Sequence, residues 1–307
     1  MLNFMVQLGL TRWRYIGLVL SGMLTLACVY ILITRGLHLG LDFTGGILLE
    51  LKIQTLKSSA ELNAMLSSEL AALIELQPAG VPGEWLIKLP PQELSHSANE
   101  LAQWLARDLG MAVELSRTTL VGPQVGGELF EQGMLALLVA SIAIAGYLAL
   151  RFEWRQAIGV LLSVLHDALM ALGLLSLLQI EFDLNIIAGL MAVIGYSLND
   201  SIVISDRLRD LLQSRTQQDI YACSDRAIKA TFSRTLITSG TTLFTVGALL
   251  LFGGAALYGF AFTLFIGILV GTLSSITIAS TVQELLGLSV EAYNQHEEET
   301  EEWETAP

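Results

Sequence analysis

The chain has 307 residues, 53% of them hydrophobic and only 15% charged, a composition that excludes an ordinary water-soluble protein and indicates an integral membrane protein. The net charge of −13 comes largely from an acidic tail and an acidic extramembrane region, so it gives no reason to expect a nucleic-acid partner. The two cysteines, Cys28 and Cys223, provide neither a metal-binding spacing nor a disulfide framework.

The first predicted element is a transmembrane helix at residues 16–34, which follows a short N-terminal segment, residues 1–15, that contains Arg12 and Arg14. The uncharged run that begins at Ile16 is longer than the roughly 7–15 apolar residues of a secretory signal peptide, and no small-residue cleavage site follows it. We therefore interpret it as a retained membrane anchor.

Residues 35–131 are predicted to form a small α+β domain outside the membrane. Ser58 and Ser97 each precede a glutamate by three residues, a capping pattern that predicts the start of a helix. Residues 77–83, rich in proline and glycine, predict a turn. Alternation of apolar and polar residues predicts a half-buried strand at Leu49–Ile53. Two further strands are predicted at Trp85–Leu89 and Met111–Leu120.

Long apolar runs predict five further transmembrane helices within residues 132–285. They lie at Gly133–Leu150, Gln156–Ile180, Leu184–Ser205 and, in the charge-free run Thr235–Gln283, as two spans divided at Gly253–Gly259. A polar loop at residues 206–233 interrupts the series, and residues 286–307 form an acidic tail. The predicted fold is a mainly α-helical polytopic membrane protein, with six transmembrane helices and the α+β domain between the first and second.

The distribution of basic residues predicts the orientation in the membrane. With six spans, all the arginines and lysines of the short connections fall on one side, and the opposite short loops, residues 179–183 and 253–259, contain none. Because positive charge is retained in the cytoplasm, both termini are expected there, with residues 35–131 outside. The basic side carries Arg12, Arg14, Arg151, Arg155, Arg207, Arg209, Arg215, Arg226 and Lys229.

Asp200 is the main candidate for a functional residue, because an ionised carboxylate inside the bilayer costs at least about 2.5–3.5 kcal/mol. Asn199, Ser197 and Ser201 flank it and are able to hydrogen-bond a carboxyl group. A rise of 1.5 Å per residue places Asp200 about 24 Å from the outer end of its span and Arg234 about 28 Å from the outer end of the next. The two side chains are therefore expected to meet, with Asp200 as a proton carrier and Arg234 as its counter-ion.

A structural alternative fits the same residues. In it, Arg234 is a charge that flanks the membrane, and Asp200 is a packing residue satisfied by Asn199. His166 and Asp167 lie about 15 Å into the third span and are expected to extend a polar path. The sequence offers no nucleophile–base pair, no metal-ligand spacing and no nucleotide-binding loop, so we expect neither an enzyme nor a cofactor.

Seven motifs, taken together and in order, resemble the SecF family of bacterial inner-membrane protein-export subunits, over about residues 36–285. They are Asp42–Gly46, Val121–Gly126, Ala149–Trp154, His166–Asp167, Ile194–Asp200 with Asp206–Arg207, Ser233–Thr235, and Ser274–Ser275. The chain departs from the family pattern at Ser205, where an aromatic residue is common, and in its acidic tail.

The resemblance implies a function and a set of partners. A SecF-like chain pairs with SecD, with which it is similar to the two halves of an RND-type exporter, and acts with the SecYEG channel, YajC and translocating precursor proteins. It uses the proton-motive force to assist export, with Asp200 as proton carrier and Arg234 as its partner. Two other functions remain open, a scaffold that docks SecD to the channel without carrying protons and a small-molecule or lipid exporter related by fold.

Overall fold

The computed structural model describes residues 2–53, 75–78, 83–89, 113–214 and 219–293, together with residues 103, 106 and 107. The described helices are α1 (Leu2–Arg35), α2 (Leu41–Thr44), α3 (Pro123–Arg151), α4 (Trp154–Leu178), α5 (Leu184–Gln213), α6 (Ile220–Phe252), α7 (Ala255–Ser274) and α8 (Ser280–Leu285). A five-residue π-helix, Ser275–Ala279, joins α7 to α8.

Six of the described helical segments are long and apolar enough to cross a membrane, which confirms the predicted number of spans. They are Gly9–Arg35, Gln124–Arg151, Trp154–Leu178, Leu184–Gln213, Ile220–Phe252 and Ala255–Leu285. The polar stretch at residues 206–233 contains the end of α5 and the start of α6, so both helices extend beyond their apolar segments.

Local sequence signals explain where several of these helices begin and end. Glu153 and Asp183 cap α4 and α5, since their carboxylates accept hydrogen bonds from the free backbone N–H groups of the first turn. Pro123 opens α3, where its missing N–H costs nothing. The long charge-free run divides at Gly254, whose φ of 72° is readily adopted only by glycine.

α4 and α5 form the centre of the bundle, with 56% of each span buried, whereas α1 and α3 lie at the periphery with 6% buried. One apolar cluster packs the half of the bundle near the connection between α3 and α4, and it contains Leu148, Phe152, Val160, Val164, Ile194 and Leu198. A second apolar cluster closes one end and includes Phe43, Leu175, Phe182 and Ile186. The central position of α4 and α5 shields their polar side chains from the surrounding lipid.

The extramembrane part contains a four-stranded antiparallel sheet in the order β2-β3-β1-β4. The strands are β1 (Gly46–Ile53), β2 (Glu75–Pro78), β3 (Glu84–Leu89) and β4 (Val113–Val121), and β1, β3 and β4 confirm the three predicted strands. The alternation is also confirmed, since Leu49, Leu51 and Ile87 are buried while Lys52 is exposed. β2 includes Gln77 and Pro78, where a turn was predicted; an edge strand tolerates proline because one side of its backbone is unpaired.

The helices predicted to start at Ser58 and Ser97 lie outside the described residues, apart from residues 103, 106 and 107, which are helical. The α part of the α+β domain therefore stays largely a prediction at this level of detail.

The sheet is fastened to one end of the bundle, which we call the sheet end; the other end, where α1 begins and α8 finishes, is the terminal end. Phe182 donates a backbone hydrogen bond to His38 O (2.7 Å) and accepts one from Gly40 N (2.8 Å). Phe43 packs against the rings of Phe130 and Phe182, with centroid distances of 5.3 and 5.8 Å. These contacts connect the sheet to the loop that leads directly into α5.

Candidate functional site in the membrane bundle

Asp200 lies on α5 with only 2% of its surface exposed. Its Oδ2 accepts a hydrogen bond from Ser239 of α6 (3.2 Å), and Ser239 in turn accepts one from Thr272 of α7 (2.9 Å). Asn199 donates to Oδ1 at 3.5 Å. We call these four residues the Asp200 cluster. Its hydroxyl groups come from two neighbouring helices, so the carboxylate is held at a junction of three spans.

Asp167 lies on α4 and is completely buried. Its Oδ2 accepts hydrogen bonds from Ser197 of α5 (2.5 Å) and Ser274 of α7 (2.8 Å), and Ser163 donates to Ser274 (3.0 Å). We call these residues the Asp167 cluster. The other carboxylate oxygen, Oδ1, is buried without a hydrogen-bond partner. Within the described residues, one oxygen of this carboxyl group is therefore fixed by two hydrogen bonds, and the other oxygen has none.

His166 lies beside Asp167 and connects it to α1. Its Nδ1 is 2.6 Å from the hydroxyl oxygen of Thr25, and that hydroxyl donates its hydrogen to Ser21 O (2.8 Å). The other ring nitrogen, Nε2, is 4.0 Å from Asp167 Oδ1. His166 therefore lies between the Asp167 carboxyl group and helix α1.

Arg234 is exposed on α6, and within the described part of the chain no ion pair within 4.0 Å joins it to Asp200. The two groups still lie close enough for the charge of Arg234 to act on that carboxyl group. Arg234 is the first residue of a polar stripe along α6. The stripe continues, at the helical spacing of three to four residues, with Thr238, Thr241 and Thr245. Asn199 is also exposed, on α5.

The site residues named from sequence fall into two groups on different sides of α5. Ser197 belongs with His166 and Asp167, whereas Asn199 belongs with Asp200. Ser201 is buried, and its hydroxyl has no hydrogen-bond partner. Sequence reasoning missed Ser163, Ser239 and Thr272, because hydroxyl residues are common in membrane helices and a single sequence does not show which face they occupy.

A buried ion-pair network at the terminal end was also missed. Arg14 of α1 contacts Asp225 of α6 (3.0 Å) and Glu284 of α8 (2.8 Å), and all three side chains are at most 1% exposed. Thr11 and Tyr15 add hydrogen bonds to the two carboxylates. The network ties the peripheral helix α1 to the rest of the bundle. In the sequence, Arg14 is indistinguishable from a basic residue that simply flanks a span.

These features define a class of protein: a polytopic membrane protein with six spans, a small extramembrane sheet and ionisable side chains buried between its helices. The family model described as "Protein export membrane protein SecD/SecF, C-terminal" matches residues 102–288, and the SecD/SecF GG motif matches residues 30–55. The chain belongs to the SecF family of protein translocase subunits, as the motifs predicted.

Two relatives and one solved structure support this assignment. Protein translocase subunit SecF of Escherichia coli O157:H7 is 40% identical over 94% of this chain and 91% of its own length, and that of Vibrio alginolyticus is 40% identical over 92% and 91%. The crystal structure of SecDF, a translocon-associated membrane protein from Thermus thermophilus, matches with a TM-score of 0.77 and 32% identity. It covers 89% of this chain, which spans only 37% of the SecDF chain.

Proposed function

We propose that this chain pairs with SecD and uses the proton-motive force to assist protein translocation through the SecYEG channel across the bacterial inner membrane. The observation that carries the proposal is Asp200, a carboxyl group at 2% exposure inside a membrane span, held by hydroxyl groups. A serine hydroxyl donates to a carboxylate and accepts from a carboxylic acid. The Asp200 cluster is therefore able to accommodate both protonation states by rotating hydroxyl hydrogens, without moving a helix.

The exposed polar faces of α5 and α6 support a partner inside the membrane. Arg234 and Asn199 are exposed and Thr238 is half-exposed within the part of the chain that the structure describes, and an arginine facing hydrocarbon is costly. A second bundle packed against α5 and α6 removes that cost. We propose SecD as this partner and Arg234 as a residue that approaches Asp200 in another state of the complex.

Coupling to the extramembrane domain is proposed to run through α5. This single helix carries Ser197 and Asp200, and its first residue, Leu184, donates a backbone hydrogen bond to Asp42 Oδ2 (3.2 Å). Asp42 lies in the turn of helix α2 that leads into β1. A displacement of α5 is therefore passed to the sheet through a short, hydrogen-bonded connection.

The proposed orientation places both termini and the 206–233 region in the cytoplasm and residues 35–131 in the periplasm, in accordance with the positive-inside rule. We further propose that the translocating precursor and YajC are encountered within the assembled complex. The proposal requires neither enzymatic activity nor a cofactor, because the gradient supplies the energy.

The experiment that tests the proposal is Asp200→Asn in cells that lack the native subunit. We expect loss of the part of precursor export that depends on the proton gradient, with normal membrane insertion and normal recovery of SecD. Asp210→Asn is the control, since Asp210 is on the same helix but exposed. Full gradient-dependent export by Asp200→Asn contradicts the carrier role and favours the scaffold function.

A further inference from the structure

Three serines form a buried line on one face of α5. Ser197, Ser201 and Ser205 are spaced by four residues and at most 2% exposed. Residues four apart lie one above another on a helix, so the line extends about 12 Å from the Asp167 cluster toward the terminal end. Three buried serines in a row give this face of α5 a continuous polar surface inside the bundle.

Side chains from α4 face this line at both of its ends. Asp167 accepts a hydrogen bond from Ser197, and Gln156, about 16 Å farther along α4, donates from Nε2 to Ser205 O (3.5 Å). α8 closes the third side: the backbone nitrogen of Gln283 lies 3.6 Å from the position that a Cβ on Gly159 would occupy. We call this set the polar column; its members are Asp167, Ser163, Gln156, Ser197, Ser201, Ser205 and Gln283.

Within the described part of the chain, several fully buried polar atoms of the column have no hydrogen-bond partner. They are Asp167 Oδ1, Ser201 Oγ, Gln156 Oε1 and both side-chain amide atoms of Gln283. Each unpaired buried group of this kind costs about 1–3 kcal/mol, and proteins normally satisfy such groups with ordered water. Five such atoms in one column indicate bound water more strongly than any one of them alone. The column also adjoins the π-helix, a distortion often found at functional sites.

We propose that a file of water molecules fills the polar column and connects Asp167 to the terminal end of the bundle, inside this subunit. The geometry of the column supports the presence of the water file. Its use as a proton route rests in addition on the proposed function. In that use, the O–H bond of the Asp167 carboxylic acid breaks as a water at Oδ1 gains the proton. Asp167 is left as the carboxylate, each water passes one proton onward, and the last water, beyond Gln156 and Gln283, releases its proton to bulk water at the terminal end.

Asp167 and Asp200, which were expected from sequence to share one polar path, have separate sets of hydrogen-bond partners. Asp200 faces Ser239 of α6 and the exposed polar surface that we assign to SecD, whereas Asp167 faces the polar column. The charged or titratable groups near the column include His166 beside Asp167, Glu153 and Arg155 at the start of α4, the Arg151–Asp206 ion pair next to Ser205, and the Arg14 network at the terminal end. The column is therefore a route within this chain, distinct from the surface that carries Asn199 and Arg234.

The test measures water contact directly at Ser201, in the full-length chain purified and reconstituted in lipid. Cys28 and Cys223 are first replaced by alanine, and Ser201→Cys then introduces the sole thiol. Infrared spectroscopy follows conversion of its S–H to S–D after transfer to heavy water. Leu198→Cys is the control, because Leu198 is buried on the same helix within an apolar cluster. We expect exchange at Ser201→Cys to be at least tenfold faster.

A second pair of variants tests the direction of access. Gln283→Leu and Gln156→Leu place apolar groups at the terminal end of the column, and each is expected to slow exchange at Ser201→Cys severalfold. Thr263→Val changes a buried residue in the half of α7 nearer the sheet end, and it is expected to leave the exchange rate at Ser201→Cys unchanged. Equal exchange rates at positions 201 and 198, or no slowing by either Gln283→Leu or Gln156→Leu, overturn the inference. The measurement needs neither a proton gradient nor export, so its outcome is independent of the test on Asp200.

Discussion

Ser239 of α6 donates a 3.2 Å hydrogen bond to Asp200 of α5, and Thr272 of α7 donates to Ser239 at 2.9 Å. Three transmembrane helices are thus linked at a single carboxyl group. When Asp200 is ionised, the Ser239 hydroxyl donates a hydrogen bond to it. When Asp200 is protonated, the same hydroxyl can accept a hydrogen bond from it instead. The hydrogen-bond chain gives proton binding a direct connection to the packing of α5, α6 and α7.

Ser239→Ala is predicted to reduce gradient-dependent export severalfold while the protein still assembles. The reason is that a hydrogen bond to a charged group contributes about 1.5–3 kcal/mol, and its loss changes the balance between the two protonation states. Precursor export is measured with and without a proton uncoupler. Thr231→Ala is the matched control, because the Thr231 hydroxyl donates to carbonyls of its own helix, α6, and lies outside the polar stripe. Equal effects of the two substitutions contradict a specific role for Ser239.

Arg234 distinguishes proton transfer from scaffolding. Arg234→Ala is predicted to abolish gradient-dependent export while SecD still co-purifies, because Arg234 is only one residue of the wider α5–α6 surface that we assign to SecD. Arg234→Lys is predicted to restore part of the activity, since it keeps the charge but not the guanidinium geometry. Loss of SecD from the purified complex in proportion to the loss of export supports the scaffold function instead.

Much of the fold was predictable because its signals are local. The spans follow from hydrophobicity alone, and Leu49 and Leu51 define the buried face of β1 by simple alternation. Asp200 and Asp167 were recognisable as candidates because charge is rare and costly in a span. The sequence also contained the glycines that end and begin the last two spans.

The pairing of side chains between helices was not predictable. Depth along a helix placed Asp200 and Arg234 at a similar level, and they do interact electrostatically, but depth leaves the rotation of each helix, and so which side chains bond directly, undetermined. In the structure, Asp200 faces Ser239, while Arg234 lies on the exposed face of α6. Arg14 illustrates the same limit, since its burial depends on carboxylates more than 200 residues away in the chain. Tertiary packing decides these contacts, and no local pattern encodes them.

Gly126→Ala is predicted to weaken the attachment of the sheet to the bundle. A Cβ at Gly126 would lie 2.6 Å from the backbone oxygen of Phe43, so α3 or the turn at Phe43 must move, at a cost of about 1–3 kcal/mol. The measurement is the thermal unfolding midpoint of the purified protein, which we expect to fall.

Gly127→Ala provides the control for that experiment. The added methyl group meets nothing within 4 Å, and alanine is favoured over glycine in a helix by about 0.5–1 kcal/mol. Gly127→Ala should therefore leave the midpoint unchanged or raise it. A fall of similar size in both variants refutes the steric explanation and points to a general requirement for glycine in this turn of α3.

Arg14→Ala is predicted to be the most destabilising of these substitutions. It leaves the buried carboxylates of Asp225 and Glu284 without a counter-ion, a loss that typically costs about 3–5 kcal/mol. The thermal unfolding midpoint and the yield of folded protein should both fall, whereas Arg12→Ala, at an exposed position two residues away, should have little effect. Adding Asp225→Asn and Glu284→Gln to Arg14→Ala should recover part of the stability, because neutral side chains no longer need the guanidinium. If the triple variant is no more stable than Arg14→Ala alone, the packing of the arginine stem, and not its charge, holds α1 against the bundle.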